Sequence, residues 1–302
     1  MRIPTIVISG GLGSGKTTFI RKLVASNPGV RFCAIVNEFG EVGIDGALLA
    51  TDIPQVVELR NGCICCVSQD QIIPTIRATL SQYSIEVLIV EMSGVGEPGP
   101  VIRQLEILQP MIEMRAHLTL VDLTLMPEHA TSEPSIRNAL AIADAIIQTK
   151  RDIAGADAAT SWRNFLTSFN GSAAIFEANR IADINVLLSK PRKARRLVVD
   201  APMEKGVSGP HPFRSICEFV GPVTTVELYA LVTALGEDFA RIKGIVELDG
   251  FWSEVQAVRG ILTTRLFKGK SPAQGRLVFI SHASNTGELY DLVRRNWRLR
   301  AA

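Results

Sequence analysis

Gly10-x4-Gly15-Lys16-Thr17 is the feature that most limits what this chain can fold into. The pattern follows an apolar run, Thr5–Ser9. It opens a segment in which Phe19, Ile20, Leu23 and Val24 recur at helical spacing until Asn27-Pro28-Gly29 stops it. A strand, a glycine loop and a helix in that order form a P-loop. Its glycines at 10, 11, 13 and 15 let backbone N–H groups turn inward around phosphates, and the helix N-terminus adds partial positive charge. Gly11, Gly13, Ser14 and Gly15 are expected to line the cradle. Lys16 is expected to reach the β- and γ-phosphates, the Thr17 hydroxyl to ligate Mg2+, and Thr18 to bond the α-phosphate. A glycine-rich turn without a ligand is the alternative, and the flanking strand and helix argue against it.

A phosphate site of this kind takes a second acid, on the metal side, from the end of a neighbouring strand. Glu91 closes the run EVLIV, and Ser93-Gly94 follows where a backbone N–H can sense the γ-phosphate. The bland reading of Glu91 is a solvent-facing strand end. Thr149-Lys150-Arg151-Asp152 follows the run AIIQ, as a base-reading loop does. Asp152 would accept from guanine N1 and N2 while the Lys150 stem covers the ring. Adenine would leave that buried acceptor unpaired, so the loop favours GTP. A polar strand exit is the alternative.

Gly62-Cys63-Ile64-Cys65-Cys66 places three of the five cysteines within four residues. Five cysteines in 302 residues are too few for a disulfide scaffold, so the cluster points to a reducing compartment and to metal or redox chemistry. Thiolates at this density suit Zn2+, with Cu(I) as the softer competitor, and a carboxylate, histidine or water would complete four-coordination. Glu38 and Glu41 in NEFGEVGID are candidates for that extra ligand, and thiol redox chemistry is the rival reading. Cys33 and Cys217 stand alone in strand-like runs and read as core residues. His117, His129, His211 and His282 show no ligand spacing.

Strand-type runs recur at Thr5–Ser9, Phe32–Asn37, Glu86–Val90, Leu118–Asp122, Ala145–Gln148 and Ala173–Glu177, with helix-length segments between most of them. That alternation predicts an α/β fold: a P-loop NTPase domain with a largely parallel sheet over 1–188. A basic stretch, KPRKARR, and a Pro-, Gly- and Ser-rich segment mark a linker over 189–212. From 213 to 302 the runs FRSICEFVG, ARIKGIVEL, ILTTRLF and RLVFIS, a helical TVELYALVTAL and an amphipathic segment near Glu288–Trp297 predict a smaller C-terminal α+β domain. A net charge of +2 supplies no field that argues for nucleic acid, and no apolar run reaches the roughly 20 residues that cross a bilayer. MRIPTIVISGG is too short in apolar residues for a signal peptide, so the expected location is cytoplasmic.

Taken together, GGLGSGKTT at 10–18, NEFGEVGID at 37–45, NGCICC at 61–66, EMSGVGEP at 91–98, VDL at 121–123, TKRD at 149–152 and a C-terminal part with ARIKGIV and WSEVQAV resemble the CobW-like P-loop GTPases, a family of metallochaperones and metal-centre assembly factors. The resemblance spans nearly the whole chain. It implies nucleotide contacts from the P-loop, a switch segment including Glu38, Glu41 and Asp45, a Mg2+-side acid at Glu91, and a transferable metal on Cys63, Cys65 and Cys66. It also implies GTP and GDP as ligands, with zinc, cobalt or iron as the metal, a metalloprotein client, and a homodimer as one option for assembly. Two departures stand out. Thr149 replaces the Asn of the usual base-reading motif, as in dynamin-like GTPases, and there is no histidine-rich tail or linker. The function expected is a slow GTPase that gates metal delivery. The rivals are a non-catalytic metal or thiol-redox module that uses nucleotide as a structural ligand, and a P-loop small-molecule kinase.

Overall fold

The computed structural model describes residues 2–37, 53, 55–59, 69–94, 96–181, 183–189, 214–235, 239–258, 260–269, 271–281, 291 and 293. They form two compact units. In the first, seven strands run β1 (Ile3–Gly10), β2 (Phe32–Asn37), β3 (Gln55–Leu59), β4 (Val87–Glu91), β5 (Ile112–Asp122), β6 (Ala145–Thr149) and β7 (Ala174–Glu177). They pair in the order β3-β2-β4-β1-β5-β6-β7, every pair parallel. The six strand-type runs of the sequence are all strands here, and β3 is a seventh that the sequence reading passed over.

Helices α1 (Lys16–Ala25), α2 (Gln69–Gln82), α3 (Pro98–Ile107), α4 (Pro127–Ala130), α5 (Pro134–Ala141), α6 (Arg151–Phe169) and α7 (Asn185–Leu188) accompany the sheet. Its central strands are continuous apolar runs because both faces are covered. Ile6 and Ile8 pack with Phe19, Ile20 and Leu23 of α1 in one layer, and Val7 packs with Val101 and Leu105 of α3 in another. A third cluster holds Trp162 of α6, whose Nε1 donates to Leu125 O at 2.7 Å and whose ring meets Phe165 edge-on at 6.0 Å. Cys33 is buried, as expected of a core residue, and burial pushes its thiol up to about 12; Cys217 is only half-buried. His117 is buried within β5, where its Nε2 lies 2.7 Å from Ser9 Oγ, and His129 is exposed.

The second unit is a five-stranded antiparallel sheet in the order β11-β10-β9-β12-β8, with β8 (Arg214–Val220), β9 (Phe239–Leu248), β10 (Phe251–Val258), β11 (Ile261–Leu266) and β12 (Gly275–Ser281). One face packs on α8 (Thr225–Leu235) through Leu228, Leu231, Val232 and Leu235. The strand β10 was not read as a strand from the sequence. Apart from Asp291 and Val293, the helix expected near Glu288–Trp297 lies outside the described residues, and so does the expected linker apart from Ser189.

Trp162→Ala removes a buried indole and leaves Leu125 O without its donor, so unfolding of the first unit should lose about 3–5 kcal/mol of stability. Denaturant unfolding followed by tryptophan-independent circular dichroism checks this. A loss below about 1 kcal/mol would show that the third cluster is not a tightly packed core.

Candidate functional site

In a parallel sheet the loops after successive strands emerge on one edge, and the described segments after β1, β4 and β6 do so. The loop after β1 turns on Gly10, Gly13 and Gly15, all with positive φ (139°, 73° and 90°). Gly10 is the tightest, since a Cβ there would meet Leu120 O at 2.6 Å and Ser14 Oγ at 2.8 Å. Gly94 closes on the same loop from the β4 side, where a Cβ would lie 2.8 Å from the Leu12 backbone nitrogen. Gly11 is overhung by Ile136 of α5, whose Cδ1 would be 2.9 Å from an added Cβ.

Lys16 is buried, and its Nζ donates to Gly10 O at 2.8 Å and Gly11 O at 3.1 Å, so the ammonium lies folded across the loop. Thr17 Oγ1 donates to Glu91 Oε1 at 3.1 Å, both residues buried. Glu91 is therefore not the solvent-facing strand end that was the alternative. Ser14 Oγ is buried with no hydrogen-bond partner among the described residues. A cradle that rejects Cβ atoms, a buried ammonium, an orphaned buried hydroxyl and a buried hydroxyl–carboxylate pair fit a phosphate chain with a hard cation such as Mg2+. Thr18 is half-buried at the start of α1.

At the end of β6, Thr149 is buried and its Oγ1 lies within donating distance of Ser14 O (2.9 Å) and Val121 O (3.0 Å). The residue that departs from the usual Asn thus ties this loop to the P-loop. Lys150 adopts a left-handed backbone, φ 57°, uncommon outside glycine, and its Nζ pairs with Asp122 Oδ2 at 2.5 Å. Asp122 Oδ1 accepts from Thr124 N and Oγ1, which fixes the carboxylate. Asp152 is exposed in the first turn of α6, and Arg151 pairs with Glu177 at the end of β7, which also holds Arg180. The anchoring roles of Asp122 and Glu177 escaped the sequence reading. The sequence reading has Asp122 as the end of the run Leu118–Asp122 and within VDL, with no anchoring role; its position at a strand end, two residues before a threonine, is a turn signal that points to one.

Glu38, Glu41, Asp45, Cys63, Cys65 and Cys66 lie outside the described residues, but the strand ends that precede them do not. Asn37, immediately before Glu38, is the register partner of Leu59, from which the chain continues to the cysteines; Val36 is the partner of Glu91. Among the described residues no group of three or more His, Cys, Asp and Glu could hold a metal ion, and no helix is long and apolar enough to cross a membrane.

A seven-stranded parallel sheet whose first strand feeds a left-handed glycine loop, a buried lysine and a helix defines a P-loop nucleotide-binding domain. Residues 4–177 match the sequence model of the CobW/HypB/UreG nucleotide-binding domain, and residues 215–295 match that of the cobalamin synthesis protein cobW C-terminal domain; the chain belongs to the CobW/HypB/UreG family. Among similar curated proteins, the zinc chaperone YeiR of Escherichia coli (strain K12) is 40% identical over 152 residues, 49% of this chain and 46% of that one. The zinc-regulated GTPase metalloprotein activator 1 of Dictyostelium discoideum is 31% identical over 158 residues, 45% of this chain and 33% of that one. The chain thus spans about half the length or less of these relatives. The crystal structure of Zn(II)-bound YjiA GTPase from E. coli aligns with a TM-score of 0.46 at 20% identity, covering 98% of this chain and 99% of that one.

Glu97, at the start of α3, accepts from Asn138 Nδ2 at 3.1 and 3.2 Å, yet burial outweighs that bond and raises its carboxyl above the ordinary value. The folded protein therefore takes up this proton before the unfolded chain does as pH falls. Stability held below the ordinary carboxyl range is lost as pH rises through the raised value. Glu97→Gln should raise the unfolding midpoint at pH 7, and the gain should shrink on acidification. A midpoint that falls at pH 7 would show that the charge is needed there.

Proposed function

We propose that this protein is a nucleotide-gated carrier of a transition-metal ion, zinc foremost, that binds and hydrolyses GTP and passes the metal to a metalloprotein client. One observation carries the reading: the strand ends that lead into Glu38 and into the cysteine segment are paired with each other, and the first also flanks the strand that ends at Glu91. Neighbouring strands lie about 4.8 Å apart, so a change beside the γ-phosphate is close enough in the chain to bear on thiolates held by Cys63, Cys65 and Cys66. The likeness to proteins named zinc chaperones and zinc-regulated GTPase activators supports zinc as the cargo. Cobalt and iron compete for overlapping ligands.

In this reading Lys16 leaves its two carbonyls for the β- and γ-phosphates, and the N–H groups of Gly11, Gly13, Ser14 and Gly15 hold the phosphate chain. Thr18 bonds the α-phosphate, and Gly94 presents its N–H to the γ-phosphate. Thr17 and Glu91 would hold Mg2+, which when bound neutralises charge between the β- and γ-phosphates. Glu38, Glu41 and Asp45 form the segment that responds to the γ-phosphate. Thr149 ties the base loop to the P-loop, Lys150 covers the base from its Asp122 anchor, and Asp152 accepts from guanine. Hydrolysis is slow because the sequence shows no arginine finger or water-positioning glutamine in cis. A linker over 189–212 separates the two domains along the chain, which the gap between the matched regions, 4–177 and 215–295, supports. Reduced thiols suit a cytoplasmic setting.

Phosphate release from γ-labelled GTP, with Mg2+ present, tests the proposal. The full chain should turn over GTP slowly, and Lys16→Ala should lose at least about a hundredfold, since it removes a charge aimed at the transferred group. Undiminished release by the variant, or label appearing on an acceptor other than water, would contradict the proposal. The second result would point to a kinase.

A further inference from the structure

A buried polar chain leads up to the P-loop from the sheet below it. His117, wholly buried on β5, sets its Nε2 2.7 Å from Ser9 Oγ, the side chain immediately before Gly10. Ser9 Oγ lies 3.0 Å from Thr119 Oγ1, and Thr119 Oγ1 donates to Ala139 O at 3.1 Å. On the other side of the ring, Nδ1 lies 3.4 Å from Ile142 O. Strand alternation puts the three side chains on one face, since Val7 is the register partner of His117 and Ser9 that of Thr119.

The proton inventory of this chain distinguishes the states of the ring. Its four contacts, Nδ1 with Ile142 O, Nε2 with Ser9, Ser9 with Thr119 and Thr119 with Ala139 O, take one proton each. Two hydroxyls and a neutral imidazole supply three protons; with an imidazolium there are four. If only Nε2 is protonated, the bare Nδ1 lone pair faces the Ile142 carbonyl. If only Nδ1 is protonated, Ser9 must donate to Nε2, and Thr119 can then serve Ser9 or Ala139 O but not both. A weaker approach, Ser9 Oγ to Leu118 O at 3.4 Å, adds an acceptor and no proton. Away from water, a polar contact left without its proton is costly.

The surroundings favour the charged ring. Ile142 ends α5, so its carbonyl belongs to the negative end of that helix, which attracts a cation. Asp144 Oδ2 accepts from His117 N at 2.8 Å and brings a carboxylate to the same turn. Other charges on the elements packed here are engaged or turned away. Arg115 of β5 pairs with Glu113 at 3.0 Å, Arg137 of α5 and Arg103 of α3 are exposed, Glu106 of α3 is half-buried, and β1 and β6 carry no charged residue.

The same helix reaches the nucleotide site. Ile136 of α5 overhangs Gly11, and Asn138 donates to Glu97, which follows Ser93-Gly94 and precedes α3. The C-terminal carbonyls of α5 rest on inserted donors: Thr119 on Ala139 O, and Asn170 on Leu140 O at 2.7 Å and on Ala143 O at 3.1 Å. We propose that His117 is held as an imidazolium and that its proton braces the P-loop, through Ser9 on one side and α5 on the other, so that nucleotide affinity falls when the ring releases that proton to solvent. His117 and Ser9 are positioning residues in this account, since neither touches the nucleotide. The stability that the charged ring contributes is present at low pH and is lost as pH rises through the titration of the ring. The link to nucleotide rests on the GTP-binding reading above; the protonation state of the ring does not.

Nitrogen NMR of the full chain labelled at histidine, with His117→Gln to assign the signal, reads the ring directly. Both ring nitrogens of His117 should carry protons at pH 7. Ser9→Ala removes two of the four contacts and one proton, so a neutral ring suffices, and the ring of that variant should carry its proton on Nδ1 alone. Binding of fluorescently labelled GDP should weaken at least about threefold from pH 6 to pH 8.5 in the unmodified chain, and Ser9→Ala and His117→Gln should each flatten that profile. A merely structural role would shift affinity equally at every pH. A neutral ring at pH 7 in the unmodified chain would overturn the proposal, as would GDP profiles that run parallel with and without Ser9→Ala. A chain that binds no GDP at any pH would sink the nucleotide reading and the link with it, while the ring spectrum would still report the imidazolium, so the two failures are told apart.

Discussion

Parallel pairing of the seven strands is the constraint on which the rest of the first unit depends. It sends the loops after β1, β4, β5, β6 and β7 to one edge, so residues as far apart as Thr17 and Glu91, or Ser14 and Thr149, meet within hydrogen-bond distance. The same pairing fixes where the described chain departs toward the acids at 38 and 41 and toward the cysteines: from β2 and β3, side by side, next to the strand that ends at Glu91. Only the last positions of these strands, such as Glu91, Asp122 and Thr149, carry polar groups of the site. Their apolar runs, covered on both faces, set the geometry that the polar residues use.

The phosphate side of the site was legible because local signals coincide there. Apolar run, glycines, lysine and amphipathic helix fall in fixed order, and each has a single backbone role. Glu91 was legible for the same reason, as a carboxylate ending an apolar strand. The strand β3 was not, because QVVEL is five residues long and an edge strand with no marked alternation or turn signal around it. Its omission mattered, since it carries the chain to the cysteines. β10 escaped for a different reason. FWSEVQAV holds Ser253 and Glu254 at buried positions, and the partner that makes the buried glutamate tolerable, Arg265, comes from another strand. Long-range pairings of this kind, like the Lys150–Asp122 and Arg151–Glu177 ion pairs, leave no periodic trace in a sequence.

Thr149, which departs from the usual base-reading motif, has a mechanical role in the structure. Its hydroxyl reaches the Ser14 carbonyl and so ties the loop after β6 to the P-loop. In the proposed function base reading rests on Lys150 and Asp152, one anchored and one exposed. In the proposed function the parallel sheet gathers nucleotide and metal on one edge.

The central claim is that nucleotide and metal are linked, and linkage has a direct readout. Zinc affinity of the reduced full chain, measured by chelator competition once with GDP bound and once with a non-hydrolysable GTP analogue, should differ by at least tenfold, a coupling of about 1.4 kcal/mol. Equal affinities in the two states would contradict a nucleotide-gated carrier and would leave the cysteines a role, thiol redox chemistry foremost, that does not depend on the nucleotide.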